Sequence, residues 1–327
     1  MLHREAWVFV AASYALMLFA HLWPADFRNP SPAYVCVAWT AFMVRTFAFH
    51  LGIVLLLSAL VAAWARKWRL LAAAVPLVVF TVGPACRQFL PRSTPSVTGE
   101  TVTVMSVNLL ALNRDTRPII EEIKGSDPDI LLLQEYTDHW HHALQAAVGR
   151  DYPHISYWRR EDSFGTGIYS KRPFEEPVDM HLALGQATEP QMRAVIRVAD
   201  RPIAFYNVHL WPPRGLEYVI EHRTQLADLL ETLSTEQLPV VLGGDFNFTE
   251  NSPHADALMC QGLRDAHSLG GWGRGATWPV HSVLRWAPGL RLDHLYLGGS
   301  LTCVKSRTGV GQGSDHRPVI AEVGFAP

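Results

Sequence analysis

Before residue 96 the chain is almost without acids, and its apolar runs reach the length of a bilayer span. Glu5 and Asp26 are the only carboxylates there, against eight basic residues. Ala6–Trp23 is apolar except for Ser13, Tyr14 and His21, while Phe47–Ala65 and Leu70–Cys86 hold no formal charge, the latter with Pro76 and Pro84 inside it. About 17 to 25 residues let a tilted helix cross a bilayer, and proline is tolerated in such helices better than in soluble ones. A signal peptide accounts only for the first run, which lacks a small-x-small cleavage site after its apolar core. The plainer reading, a very apolar soluble helical domain, fits poorly with charge-free runs this long. Residues 1–90 are therefore expected to be a membrane domain with about three transmembrane helices.

Basic residues favour the cytoplasmic side. Arg66, Lys67 and Arg69 fill the turn between the second and third runs, and Arg4 precedes the first; the loop around Pro24–Pro32 has only Arg28 against Asp26. The N-terminus and the basic turn are thus expected in the cytoplasm, and everything after Cys86 outside the cytoplasmic membrane, with Arg87 and Arg92 counting against this orientation. Arg45 is expected to snorkel at the outer surface. Tyr34–Met43 is read as a helix extension or an interfacial contact, not a fourth span.

The stretch PRSTPSVTGE, residues 91–100, is a polar, proline-bearing linker. Residues 101–327 are a different kind of chain. From residue 96 on lie 28 of the 30 acids but only 20 of the 28 basic residues, a net charge near −8. Apolar or alternating runs predict strands at Thr101–Asn108, Asp129–Glu135, Arg193–Val198, Ile203–His209, 238–246, Leu292–Leu297 and Arg317–Val323. Helices are predicted at Arg117–Ile123, Thr137–Val148 and Gly215–Leu233, giving a mixed α/β domain.

LPVVLGGDFNFTE, residues 238–250, sends an apolar strand through two glycines to Asp245 and Asn247, which share one face of the chain. Gly, Asp and Asn also make ordinary turns. The same ending recurs, however: Asn108, Glu135, His209, Asp293 and Asp315-His316 each sit at or beside the end of another predicted strand.

In order, VMSVNLL, LLLQE, YNVHL, GGDFN, LDHLYL and GSDHRP resemble the endonuclease/exonuclease/phosphatase superfamily over roughly residues 100 to 325. The resemblance implies a two-sheet β-sandwich flanked by helices, as in deoxyribonuclease I, here preceded by the transmembrane helical region. It also implies a divalent metal, usually Mg²⁺ with Mn²⁺ as the substitute, and phosphatase or phosphodiesterase chemistry. Mg²⁺ takes hard oxygen ligands and needs only one or two protein carboxylates; Glu135 is the candidate ligand, with Asn108 helping and Asp315 as a further ligand or a partner of His316. In-line attack on phosphorus needs a held water and a base. Asp245 is expected to take the proton and Asn247 to fix the water or a phosphate oxygen. Asp293 would orient His316 and favour its charged form, while His209 would contact the phosphate from the other side. Arg193 and Thr277 match phosphate-contacting positions of the deoxyribonuclease branch. The chain departs from that branch at SFGTGIY, residues 163–169, which has no acid to orient His209.

His139, His141 and His142 read as a solvated helix face and His294 as structural. A Cys260–Cys303 disulfide is an option outside the cell. Long polyanions are bound through Lys and Arg, yet the domain has only Lys124, Lys171 and Lys305 as lysines. A tethered domain meets lipid head groups at high effective concentration, and Trp211, Trp272, Trp278 and Trp286 are candidates to dip into the interface. Membrane-bound members linked to glycopeptide-antibiotic resistance resemble this chain overall. The expected substrate is therefore a lipid-linked phosphate or pyrophosphate, or a phospholipid head group, with the bilayer as partner. The alternative is a tethered extracellular nuclease, and the third reading a degenerate binding module.

Overall fold

The computed structural model describes residues 2–23, 25–182, 184–186, 189–280 and 287–327. After the N-terminal helices come strands β1 (Thr98–Asn108), β2 (Ile130–Gln134), β3 (His154–Trp158), β4 (Thr166–Ser170), β5 (Met192–Val198), β6 (Arg201–His209), β7 (Val240–Asp245), β8 (Arg264–Asp265), β9 (Asp293–Leu297), β10 (Leu301–Thr308) and β11 (Val319–Phe325). They form a six-stranded sheet, β10-β11-β1-β2-β4-β3, and a five-stranded sheet, β5-β6-β7-β9-β8. β1 and β2 run parallel, as do β6 and β7, and the other pairings are antiparallel.

Alternation along the strands builds the layers. Val102 and Val104 of β1, Ile130 and Leu132 of β2, Ile203 and Phe205 of β6 and Leu295 and Leu297 of β9 meet in one core between the sheets. Their neighbours point the other way. Met105, Val107, Leu131 and Leu133 pack under α5 (Arg117–Ser126) and α6 (Asp138–Val148). Ala204, Tyr206, Val240 and Leu242 pack under α7 (Leu216–Thr235) and α8 (Pro253–Cys260). The sandwich with helices on both faces is the expected fold class.

The N-terminal part contains α1 (Leu2–Leu22), α2 (Pro32–Thr46), α3 (Ala48–Trp64) and α4 (Trp68–Arg87). Arg4–Leu22 and Trp68–Arg87 are each long and apolar enough to cross a membrane. α3 is shorter, 17 residues, or roughly 25 Å at 1.5 Å per residue. It counts as a third span only together with α2, from which it turns by 55°. α2 itself lies on the sandwich domain: Phe42 is buried among Tyr206, Val208 and Phe248, and the Trp39 indole donates to Pro213 O at 3.3 Å. Side chains such as Leu18, Val54, Leu60, Trp64 and Val79 remain exposed on the helices.

Several expectations need correction. Arg45 does not snorkel: it is buried in α2 and pairs with Asp256 of α8 at 2.7 Å. Cys260 is exposed, Cys303 is buried, and neither is in a disulfide. His141 is not simply a solvated group, since its Nδ1 meets the Tyr136 hydroxyl at 2.8 Å. β1 begins inside the expected linker, at Thr98. β3, β4, β8 and β10 went unread because short, half-exposed or glycine-containing pieces such as HISYW and TGIYS carry little periodicity. Of the loop tryptophans, Trp272 is exposed beside Phe89 at the end of α4. Trp211 stacks on Phe164, Trp278 faces the cavity described below, and Trp286 lies outside the described residues.

Candidate functional site

Strand parity delivers most of the site. Inward positions are apolar along the sandwich and turn polar at one end: Asn108 closes the series 102, 104, 106 on β1, His209 closes 203, 205, 207 on β6, and Asp245 closes 241, 243 on β7. Asp293 starts the inward series of β9, and register places His209, Asp245 and Asp293 side by side. Glu135 follows the inward Gln134 and would point to the helix layer on a regular strand. It reaches the site because its backbone is left-handed, φ 56°, as is that of Asn247, φ 51°. Such conformations cost a non-glycine residue about 1 to 3 kcal/mol and persist where surroundings enforce them. Here the enforcing contacts are Ala111 N–H donating to Glu135 Oε2 at 2.8 Å, and Asn247 Nδ2 donating to Leu210 O at 2.9 Å.

The polar groups form one network. Asn108 Nδ2 donates to Glu135 Oε1 and to Asp245 Oδ2, both at 3.1 Å. Asn247 N–H donates to Asp245 Oδ1 at 3.0 Å. His316 Nδ1 lies 2.7 Å from Asp293 Oδ2 and 3.7 Å from Asp245 Oδ2, and His209 Nε2 approaches the same Asp245 oxygen at 3.7 Å. Burial works against a charge on His316, but Asp293 and Asp245 outweigh it and push the imidazole up to about 10. Ser314 positions that histidine by donating to Asn108 O at 2.8 Å and accepting from His316 N–H at 3.1 Å.

These groups face a cavity of about 540 Å³, whose floor includes Glu135, His209, Asp245, Asn247, Asp315 and His316. Phe42, Met43, Thr46 and Phe47, at the bend between α2 and α3, line the same cavity. Arg193 and Thr277 are not part of its lining. Arg193 bonds Glu236 at 2.8 Å and Glu176 at 2.6 Å, which leaves its guanidinium committed to structure. The Thr277 hydroxyl accepts the N–H groups of Leu292 and Asp293, at 3.0 and 3.2 Å, and so braces Asp293. His294 is buried, with Nε2 3.0 Å from Phe248 O.

Three contributors went unread in the sequence. Arg214, in WPPRG, lines the cavity. Phe164 packs on the His209 ring at 5.7 Å in the segment that lacks an orienting acid. Gln191 fixes the backbone of His209 at both ends, accepting from its N–H at 2.8 Å and donating to its C=O at 3.0 Å. Beneath the site, Gln134 and Asn207 join the two sheets through a 2.6 Å hydrogen bond. Buried amides inside otherwise apolar strands were the available signal for that layer.

The donor set fits a small divalent cation. Among the described residues no lysine or arginine pairs with Glu135 or Asp245, so the cavity floor brings together hard carboxylate oxygens of the kind Mg²⁺ prefers. A compact buried trio adjoins it and shares Asp245 with it: Asp245, Asp293 and His316, with ligand atoms within 4.8 Å of one another. There the imidazole nitrogen is already engaged, His316 Nδ1 lying 2.7 Å from Asp293 Oδ2. The Glu135 side, with Asn108 and Asp245, is therefore the better seat.

Comparisons agree with this geometry. The sequence description of the Endonuclease/Exonuclease/phosphatase family matches residues 105–316. Among solved structures, truncated Caenorhabditis elegans TDP2 is similar with a TM-score of 0.57 and 22% identity, over 70% of this chain and 99% of that one. The human Nocturnin catalytic domain with bound sulfate is similar with a TM-score of 0.53 and 20% identity, over 71% of this chain and 97% of that one. Danio rerio TDP2 complexed with single-strand DNA product gives 0.55 and 16%, over 69% and 100%. No curated protein matches the chain. Identities this low speak for the fold alone, but the family match spans more than half of the chain and the polar cluster lies within it: the chain belongs to the endonuclease/exonuclease/phosphatase family of metal-dependent phosphoester hydrolases.

Proposed function

We propose that this chain is a membrane-anchored, Mg²⁺-dependent hydrolase that acts outside the cytoplasmic membrane on a lipid-linked phosphate or pyrophosphate, or on a phospholipid head group. One observation carries the reading: the wall of the catalytic cavity formed by Phe42, Met43 and Phe47 belongs to the helices that lead into the candidate membrane spans. A polar floor under an apolar wall suits a phosphate that carries a hydrocarbon. Glu135, with Asn108 and Asp245 beside it, would hold the cation, which when bound neutralises charge on the phosphate oxygens.

The remaining work falls to side chains of this chain. Asn247 has its amide nitrogen committed to Leu210 O, so its amide oxygen is what it offers the attacking water. Asp245 aligns that water and takes up its proton. His316, held as a cation by Asp293, donates toward the phosphate as negative charge grows there. His209, on the opposite side of Asp245, contacts the phosphate or passes a proton to the leaving group. Arg214 at the cavity wall supplies a cation for a second anionic group.

A tethered nuclease is the second reading, favoured by likeness to a TDP2 structure that holds a single-strand DNA product. Full-length protein in nanodiscs with Mg²⁺, assayed against a polyprenyl pyrophosphate, a sphingomyelin-type lipid and single-stranded DNA, separates the two. Lipid turnover without DNA cleavage is expected. DNA cleavage with no turnover of either lipid would overturn the lipid reading.

A further inference from the structure

We infer that the apolar groove between α2 and the start of α7 receives the first stretch of the substrate's hydrocarbon chain, an inference that rests on the lipid reading above. The groove, about 180 Å³, is lined by Val35, Cys36, Trp39, Gly215, Leu216 and Val219, none of them charged. Its placement is what points to an occupant. Val35, Trp39, Phe42 and Thr46 recur at helical spacing and so form one stripe along α2. The Phe42 and Thr46 end of the stripe lines the catalytic cavity, and the Val35 end lines the groove.

The facing wall is continuous in the same sense: Pro212, Pro213, Arg214 and Tyr218 line the cavity, and Gly215, Leu216 and Val219 the groove. The hydrogen bond from the Trp39 indole to Pro213 O joins the two walls between these stretches, so a chain would pass over the exposed face of the Trp39 ring. Arg214, the cation of this wall, lines the cavity and directly precedes the groove residue Gly215. The groove's far end, at Val35, adjoins Tyr34, whose ring packs on Trp23 just after α1. A chain lying there leads from the phosphate site to the head of a candidate membrane span. Trp39 and Leu216 are 38% and 44% exposed, so a hydrocarbon would cover apolar surface that is otherwise wet. The lining offers no ion pair and no exposed strand edge for a peptide, which leaves hydrocarbon as the occupant its chemistry matches.

The test uses full-length protein in nanodiscs with Mg²⁺ and two substrates, dodecyl pyrophosphate and butyl pyrophosphate. For Leu216→Gln the ratio of kcat/KM, long chain over short, is expected to fall about tenfold, the discrimination that a few apolar contacts provide. A folding or metal-site fault would lower both values and leave the ratio unchanged. A second measurement avoids turnover. With Cys86 and Cys260 replaced by serine, dodecylphosphonate should slow maleimide alkylation of the exposed Cys36, and butylphosphonate should not. An unchanged ratio together with unchanged alkylation overturns the groove assignment, as does Cys36 protection that comes from self-association without lipid. Failure of the unsubstituted protein to turn over either pyrophosphate would instead overturn the pyrophosphate form of the lipid reading.

Discussion

One arginine shows how far residue type alone reaches. Arg193 is the second residue of β5, where the resemblance placed a phosphate contact, yet Glu176 and Glu236 hold it. Burial alone would raise the Glu236 carboxyl, but Arg193, the Leu238 N–H and the Tyr206 hydroxyl bring it down to about 2. A depressed carboxylate stabilises the fold above its unfolded value, about 4.3, and that contribution is lost as pH falls toward 2. Arg193→Met should therefore cost about 1 to 3 kcal/mol at neutral pH, a deficit that shrinks below pH 4, while kcat barely moves. Denaturant melts at pH 7 and pH 3 check it; a large kcat loss with unchanged stability would return Arg193 to the site. Glu135 and Asp245 are the opposite case, since both were legible as polar endings of apolar strands. Asp245→Asn keeps the shape and removes the proton acceptor, so kcat should fall about 10²- to 10⁴-fold with little change in Tm. Glu135→Gln should lose most Mg²⁺ affinity, read by calorimetry, while the fold survives. What was not legible was Glu135's entry into the site, because a left-handed residue breaks the alternation on which strand reading depends.

At the scale of elements, the two glycines before Asp245 have separate reasons. A Cβ on Gly243 would lie 2.6 Å from both Leu132 and Leu295 side chains, so this position sets how closely the two sheets approach. Gly244, at φ +148°, would place a Cβ 1.8 Å from Val208 O on the neighbouring strand. Gly244→Ala must push β6 and β7 apart beside His209 and Asp245, and overpacking with strain costs about 1 to 3 kcal/mol or more. The expected result is a protein with lowered Tm and kcat, whereas Gly243→Ala, meeting only movable leucine ends, should be milder on both. Equal Tm for Gly244→Ala and the unsubstituted protein would refute the backbone clash. The neighbours that approach these glycines are set by pairings distant in the chain. The same limit hid α2. Tyr34–Met43 reads as apolar helix either way, and only the packing of Phe42 and Arg45 against α8 and the β6–β7 layer makes it a wall of the cavity.

For the whole molecule, where the helices end decides how the domain sits. The loop after α1 reaches the domain through Arg28, 2.8 Å from Asp228, and through the Asp26 backbone, which accepts from Arg223. The start of α3 reaches it through His50, 2.6 Å from Pro288 O, and Phe49, which lies 3.9 Å under the Arg274 guanidinium. The end of α4 reaches it through Gln88 O, which accepts from Gly273 N–H at 2.8 Å. The basic turn Arg66–Arg69 falls between the far ends of α3 and α4, one helix length away from those contacts. If α3 and α4 cross the bilayer, the domain and the basic turn occupy opposite sides, and positive charge keeps the turn in the cytoplasm. Reporter fusions near Lys67 should then read cytoplasmic, and fusions after residue 95 should read outside. Fusions that read cytoplasmic at both points would mean that α4 does not cross. They would also remove the proposed substrate's compartment, whatever chemistry the cavity performs.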